Sequence, residues 1–228
     1  FAVCIFLSQE DKIENKKCGD KAMTFYIDTR YANCSREICR LLKACILEQT
    51  REWSEIIFLC IGTGIGGAAF FGGKFIRPMR NAGFEFGHMV INKNGEKCNC
   101  GNKGCFEVYC SKKKFKEQMQ KILGIAEYVG AADLTKAVEE NMNNDDVKNL
   151  LEEYVDNLAL GIANIINILE PEAISIGGSM SHYEKLIFGR LKEKIYSGEY
   201  LFNKENPPKI LTAQAGNDAG IIGATLIF

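Results

Sequence analysis

Residues Glu55–Gly67 read EIIFLCI-GTGIGG, and this stretch decides the fold class. Glu55–Ile61 is a continuous apolar run after one charge, the pattern of a central strand buried on both faces. The run stops at a six-residue segment holding four glycines. Glycines after a buried strand let the backbone approach an anion closely, with N–H groups aimed at phosphate oxygens and Thr63 adding a hydroxyl. No Lys-Ser/Thr pair follows, so the segment is not a Walker A loop. Read alone, it is equally a tight β-hairpin.

Working outward, Ala68–Phe71 is a short strand that meets a Gly72-Gly73 turn. Upstream, Phe1–Leu7 and Thr24–Ile27 read as strands, and Ser35–Gln49 has helical apolar spacing. Downstream, Asn92–Gly104 is a polar, cysteine-bearing loop. Phe106–Ala126, Asp133–Met142 and Asp145–Leu169 read as helices, the last stopped by Pro171. Ala173–Ile176 is a buried strand ending at Gly177-Gly178. Tyr183–Tyr196 is a helix, Lys209–Ala213 a strand and Ala219–Leu226 a last helix. Strands alternating with helices predict an α/β fold.

The 228 residues are 46% hydrophobic and 25% charged, with a formal net charge of −1. That balance gives no global field favouring nucleic acid or a membrane surface. No stretch approaches the roughly 18 apolar residues of a bilayer span, and Phe1–Leu7 is too short for a signal peptide. A cytoplasmic protein is expected. The basic run Lys112-Lys113-Lys114 with Lys116 reads as a solvated helix face.

Ten cysteines are many for such a chain, and they are unevenly placed. Cys98, Cys100, Cys105 and Cys110 crowd together, whereas the other six are scattered. His88, one of two histidines, precedes the first three by ten, twelve and seventeen residues. One imidazole and three thiolates match a closed zinc set with no open position, hence a structural metal, with plain buried thiols as the alternative. Cys110 is the spare and belongs to a helix core. Glu85 and Glu107 flank this cluster, and two carboxylates beside an imidazole suit the mixed donors and acceptors of sugar hydroxyls. Gly177-Gly178 follows a strand and precedes a helix, where nucleotides sit in open α/β sheets, or it is a simple strand-to-helix turn.

Taken together, IGTGIGG-x15-GFEFGHMVI-x6-CNCGNKGCFEVYCS (61–111) is similar to the sugar-kinase core of the ROK family (repressors, open reading frames and kinases). LALGIANIINILEPEAISIGGSMS (158–181) and AGNDAGIIGAT (215–225) resemble the same family's nucleotide lobe. The resemblance covers roughly residues 54–228. It implies an actin-like, two-lobed α/β fold with ATP and Mg2+ between the lobes. Residues 1–34 would be a remnant of the first lobe and residues 35–228 the C-terminal lobe, with a zinc loop at 88–105. By motif position, Gly62, Thr63 and Gly64 would face ATP phosphates, and Gly177 and Gly178 the nucleoside. Glu85, His88 and Glu107 would hold the hydroxyls of a hexose or N-acylhexosamine. His88, Cys98, Cys100 and Cys105 would bind zinc, with His88 serving both groups through its two ring nitrogens.

The chain departs from the family pattern in two places. The D-x-G-G-T phosphate loop that opens family members is not recognisable in these residues, and most of the first lobe is expected to be missing or replaced. The family's catalytic aspartate falls on Arg30 or Tyr31, neither of which can be the usual base near neutral pH. Asp28 can replace it only if the segment shifts by two residues. Weak or absent phosphoryl transfer is therefore expected. A sugar-sensing repressor domain and a non-catalytic pseudo-kinase are the alternatives. In each case a homodimer is expected, and no direct contact with nucleic acid.

Overall fold

The computed structural model describes residues 53–72, 74–76 and 83–213. Asp28, Arg30, Tyr31, the expected lobe boundary at residue 34, the elements expected before residue 53 and the helix expected at 219–226 all lie outside those residues.

The apolar run forms β1 (Ile56–Ile61). Its side chains alternate between two apolar clusters. Ile57, Leu59 and Ile61 enter the main core, while Ile56 and Phe58 join Ala68 and Ala173 on the opposite face. A strand with period-two geometry and apolar surroundings on both faces must read as a continuous apolar run.

β2 (Ile65–Phe71) pairs antiparallel with β1, and Ile61 opposes Ile65. The second strand therefore begins three residues earlier than the sequence suggests. Gly66 and Gly67 belong to the ladder, and the turn is only Gly62–Gly64. Gly67 must remain bare because a Cβ there would lie 2.3 Å from the Phe86 ring. Gly72, at φ 57°, leads into β3 (Lys74–Phe75), which pairs back on β2. β4 (Ala173–Gly177) runs parallel to β1, and β5 (Lys209–Thr212) runs parallel to β4. The sheet order is β3-β2-β1-β4-β5.

The helix expected over Phe106–Ala126 is two helices. α1 spans Phe106–Cys110 and α2 spans Lys112–Ile122, with Ser111 between them in extended conformation (φ −68°, ψ 148°). Ser111 Oγ accepts the Lys114 N–H at 3.3 Å. A serine that offers its own oxygen to the backbone competes with helix continuation and caps a new start.

α3 spans Ala131–Glu140, two residues earlier than expected at each end. α4 (Asp145–Leu169) starts at the Asn144 side-chain cap and ends before Pro171, with Glu170 left-handed at φ 44°. A 3-10 turn (Ser179–Tyr183) leads into α5 (Glu184–Tyr196). Phe115 of α2 packs on Tyr154 of α4 and on Tyr183, with ring centroids 4.9 and 5.3 Å apart. Tyr154 Oη donates to the Cys110 carbonyl at 2.7 Å, and Cys110 is fully buried, as a helix-core cysteine should be. Gly161 of α4 receives the Phe106 ring, which would lie 2.3 Å from a Cβ there. This contact fixes α1, and so the residues on either side of Phe106, against the longest helix. Among the described residues no helix is long and apolar enough to cross a membrane.

Candidate metal and ligand site

The loop between His88 and Cys105 is held by its own backbone. Ile91 and Asn92 N–H groups both donate to the Gly104 carbonyl, at 2.9 and 3.3 Å, and Gly104 N–H donates to Glu96 O at 2.8 Å. Cys98 N–H donates to Asn102 O at 2.8 Å, and Phe106 N–H to Met89 O at 2.7 Å. Gly104 has φ 74°, and a Cβ there would lie 1.6 Å from the Asn92 carbonyl oxygen, so no other residue fits. This fold-back places the ligand atoms of His88, Cys98, Cys100 and Cys105 within 4.8 Å of one another. Cys98 Sγ lies 3.7 Å from His88 Nδ1, and Cys100 Sγ lies 3.6 Å from Cys105 Sγ. These four residues form a donor set for a metal ion.

Burial pushes the Cys105 thiol up to about 12, and its contacts with Cys100 and Cys98 push the same way. Burial also raises Cys98. The exposed Cys100 is lowered, chiefly by the backbone at Asn102. A cation entering the cluster would displace thiol protons, so uptake is coupled to pH.

Glu107, in the first turn of α1, faces two ways. Its Oε1 lies 3.4 Å from Cys98 Sγ and 3.6 Å from His88 Nδ1. Its Oε2 accepts the Ile65 N–H at 3.4 Å. A Cβ on Gly64 would come within 2.6 Å of that same oxygen. Glu85 precedes the 3-10 turn Phe86–His88, and its carbonyl accepts the His88 N–H at 2.9 Å. Phe84, just before it, is left-handed at φ 56°, a rare conformation for an aromatic residue. The structure thus brings Glu107, His88 and the three cysteines together with the glycine turn, and Glu85 is tied to His88 through the backbone.

The two glycine segments abut because β1 and β4 are parallel neighbours. Cys60 opposes Gly177, and a Cβ on Gly62 would lie 3.7 Å from Ser179 Oγ. Gly178 has φ 81°, and a Cβ there would lie 2.6 Å from the Ile61 carbonyl oxygen, so this glycine is required by packing alone. Gly62 N–H donates to Gly64 O at 2.9 Å, and the Gly62 carbonyl accepts the Lys112 N–H at 2.8 Å.

Sequence reasoning missed Glu96 as an anchor of the loop. Its carboxylate grips Lys114 Nζ at 2.8 and 2.7 Å, its N–H donates to Tyr109 Oη at 2.8 Å, and its carbonyl accepts Gly104 N–H. Tyr109 in turn excludes a side chain at Gly95. Nothing in the local pattern marks a contact across 18 residues between a loop glutamate and a helix lysine.

The sequence profile of the ROK family matches residues 42–228. The chain belongs to the ROK family. It is 31% identical over 190 residues to the glucokinase of Thermotoga maritima, covering 78% of this chain and 59% of that protein. It is 29% identical over 177 residues to the xylose repressor of Bacillus spizizenii, covering 78% of this chain and 44% of that protein. The chain thus spans about half the length of these ROK relatives. A ROK family glucokinase from Streptomyces griseus, solved in complex with glucose and AMPPNP, superimposes with a TM-score of 0.65. That match has 23% identity and covers 82% of this chain and 65% of that one. The sheet with its antiparallel hairpins on one side of β1 and parallel strands on the other is the actin-like ROK fold.

Proposed function

We propose that this chain is a sugar-kinase-like ROK protein, in which residues 35–228 hold a structural zinc ion, a hexose or N-acylhexosamine and the phosphates of ATP. The observation that carries the reading is the position of Glu107, whose two oxygens face the metal-donor cluster and the glycine turn.

The donor set suits zinc. Bond lengths of about 2.1 Å to nitrogen and 2.3 Å to sulfur put tetrahedral ligands about 3.6–3.8 Å apart. The Cys98–His88 and Cys100–Cys105 separations of 3.7 and 3.6 Å agree. Three thiolates favour zinc over magnesium or calcium. Such an ion supplies structural cross-linking and polarises the imidazole. His88 Nδ1 is the nitrogen on the cysteine side, leaving Nε2 for a sugar hydroxyl. Glu85 and Glu107 supply carboxylate acceptors for neighbouring hydroxyls. At the Gly62–Gly64 turn, Thr63 and Gly64 offer uncharged donors to the phosphates of ATP with its Mg2+, and the backbone at Gly177 and Gly178 faces the nucleoside.

Transfer by this chain is weak or absent, because the position of the family's catalytic aspartate falls on Arg30 or Tyr31. Losing a general base costs about 10²–10⁴ in rate. Asp28 is the remaining candidate base. A cytoplasmic homodimer belongs to the same reading.

The test is incubation of zinc-loaded protein with labelled ATP, magnesium and a panel of hexoses and N-acylhexosamines. The expected result is sugar phosphate formed well below about 1 s⁻¹, the low end for kinases, and lost in Asp28→Asn. Turnover at or above that rate would overturn the impairment, and unchanged turnover in Asp28→Asn would overturn the base. The similarity to the xylose repressor supports a second reading, a sugar-sensing domain, which predicts sugar binding with no transfer at all. Absence of any response to sugars or nucleotides would leave only the pseudo-kinase.

A further inference from the structure

We infer that Lys112 binds the phosphates of the nucleotide at the Gly62–Gly64 turn. The inference rests on the nucleotide reading of that turn given above. From the sequence, Lys112, Lys113, Lys114 and Lys116 form one solvated basic run. The structure separates them. Lys113 pairs with Glu117 at 3.8 Å, and Lys114 with Glu96 at 2.7 Å. Lys116 Nζ sits 3.6 Å from the centroid of the Tyr128 ring. Among the described residues Lys112 has neither a carboxylate nor a ring partner, and its first helical turn contains no acidic residue.

Lys112 is also the member of the run joined to the turn. Its N–H donates to the Gly62 carbonyl at 2.8 Å. The extended backbone at Ser111 sets this position, since it ends α1 and starts α2 at Lys112. From there a flexible four-carbon stem can bring an ammonium group to an anion held at residues 62–64.

The turn needs such a charge. Thr63 and Gly64 contribute backbone amides and Thr63 one hydroxyl, with no formal charge, while the Gly62 N–H is engaged by Gly64 O at 2.9 Å. The nearby Glu107 carboxylate, with Oε2 3.4 Å from Ile65 N, opposes a polyphosphate. Phosphoryl groups are held by cations that offset their charge, and Lys112 is the lysine of this run whose backbone is bonded to the turn.

The test is titration of the zinc-loaded chain with MgATP and, separately, with inorganic tripolyphosphate. Lys112→Met should weaken both by about tenfold or more, the loss of one charge-assisted contact. Lys112→Arg should retain affinity, and Lys113→Met should leave it unchanged. Lys112→Gln serves as the second neutral variant if Met lowers the melting temperature. Wild-type affinity in both neutral variants would overturn the role of Lys112 and leave the nucleotide reading standing. An equal loss in Lys113→Met would also overturn it, by showing a diffuse field in place of a contact. Failure of the wild-type chain to bind either probe would overturn both readings.

Discussion

Glu107 accepts the amide hydrogen of Ile65 at 3.4 Å through Oε2, while its Oε1 stands 3.4 Å from the sulfur of Cys98. One carboxylate thereby touches the β1–β2 turn and the metal-donor loop. Glu107→Ala leaves the Ile65 amide without this acceptor, which should cost about 1–3 kcal/mol. Glu107→Gln keeps an acceptor and should cost less. On the proposed sugar-binding reading, both should weaken sugar binding by at least tenfold, because the charged acceptor is gone. Urea denaturation and sugar titration check the two effects, and equal destabilisation in Ala and Gln would remove the Ile65 bond as the cause.

Zinc at a hundred times its dissociation constant should stabilise the protein by about 2.7 kcal/mol. For a chain of this size that is a rise of about 5–10 °C in melting temperature, and chelation should reverse it. Cys105→Ser should abolish the response. Because burial raises the Cys98 and Cys105 thiols, protons compete with the metal, and affinity should fall steadily as pH drops from about 8 to about 6. Zinc titrations across that range, with proton release measured calorimetrically, provide the check. A pH-independent affinity would contradict the thiolate assignment.

Gly161→Ala should destabilise the protein by about 1–3 kcal/mol through overpacking against Phe106. The sign is informative, since glycine to alanine inside a helix ordinarily gains about 1 kcal/mol. Adding Phe106→Leu to Gly161→Ala should recover part of the loss. Thermal melts of the two variants against the wild type decide it.

Glu172 accepts hydrogen bonds from Ser54 N at 2.8 Å, Glu55 N at 3.1 Å and Ser54 Oγ at 3.3 Å, joining the start of β1 to the start of β4. The Ser54 and Glu55 amides hold its carboxyl below the usual range. A folded value below the unfolded one stabilises fully above the unfolded pKa and is lost as pH falls through the folded one. The stability gap between wild type and Glu172→Gln should therefore be constant above about pH 5.5 and shrink below about pH 4. Denaturation midpoints at several pH values test this, and a gap that widened in acid would contradict it.

Much of this fold was legible in the sequence because its signals are local. The two-faced apolar run of β1, the long amphipathic α4 stopped at Pro171 and the cysteine spacing after His88 each depend on neighbouring residues. The start of β2 was not legible, because Gly66 and Gly67 look like loop residues until they pair with Cys60 and Leu59 of β1 and Phe86 packs on Gly67. The break at Ser111 was hidden for a related reason. Phe106 with Cys110 and Phe115 with Met119 each keep a helical four-residue spacing on either side of it, so the apolar pattern reads as helix throughout although the backbone competition at Ser111 interrupts it. At the site, residue types pointed to the metal donors, Glu107 and the glycine turns. The Glu96–Lys114 anchor and the Lys112–Gly62 bond join segments whose pairing no periodicity encodes.

The break at Ser111 has a consequence for how the molecule opens. An uninterrupted helix from Phe106 would have left its unbonded amides only at its beginning. The break releases more of them in mid-segment, and one, at Lys112, is satisfied by Gly62. Fraying of the first turn of α2 therefore uncouples the 62–64 turn, although the two are about fifty residues apart in the chain. Amide exchange at that turn should then follow the helix end more closely than it follows the ladder between β1 and β2.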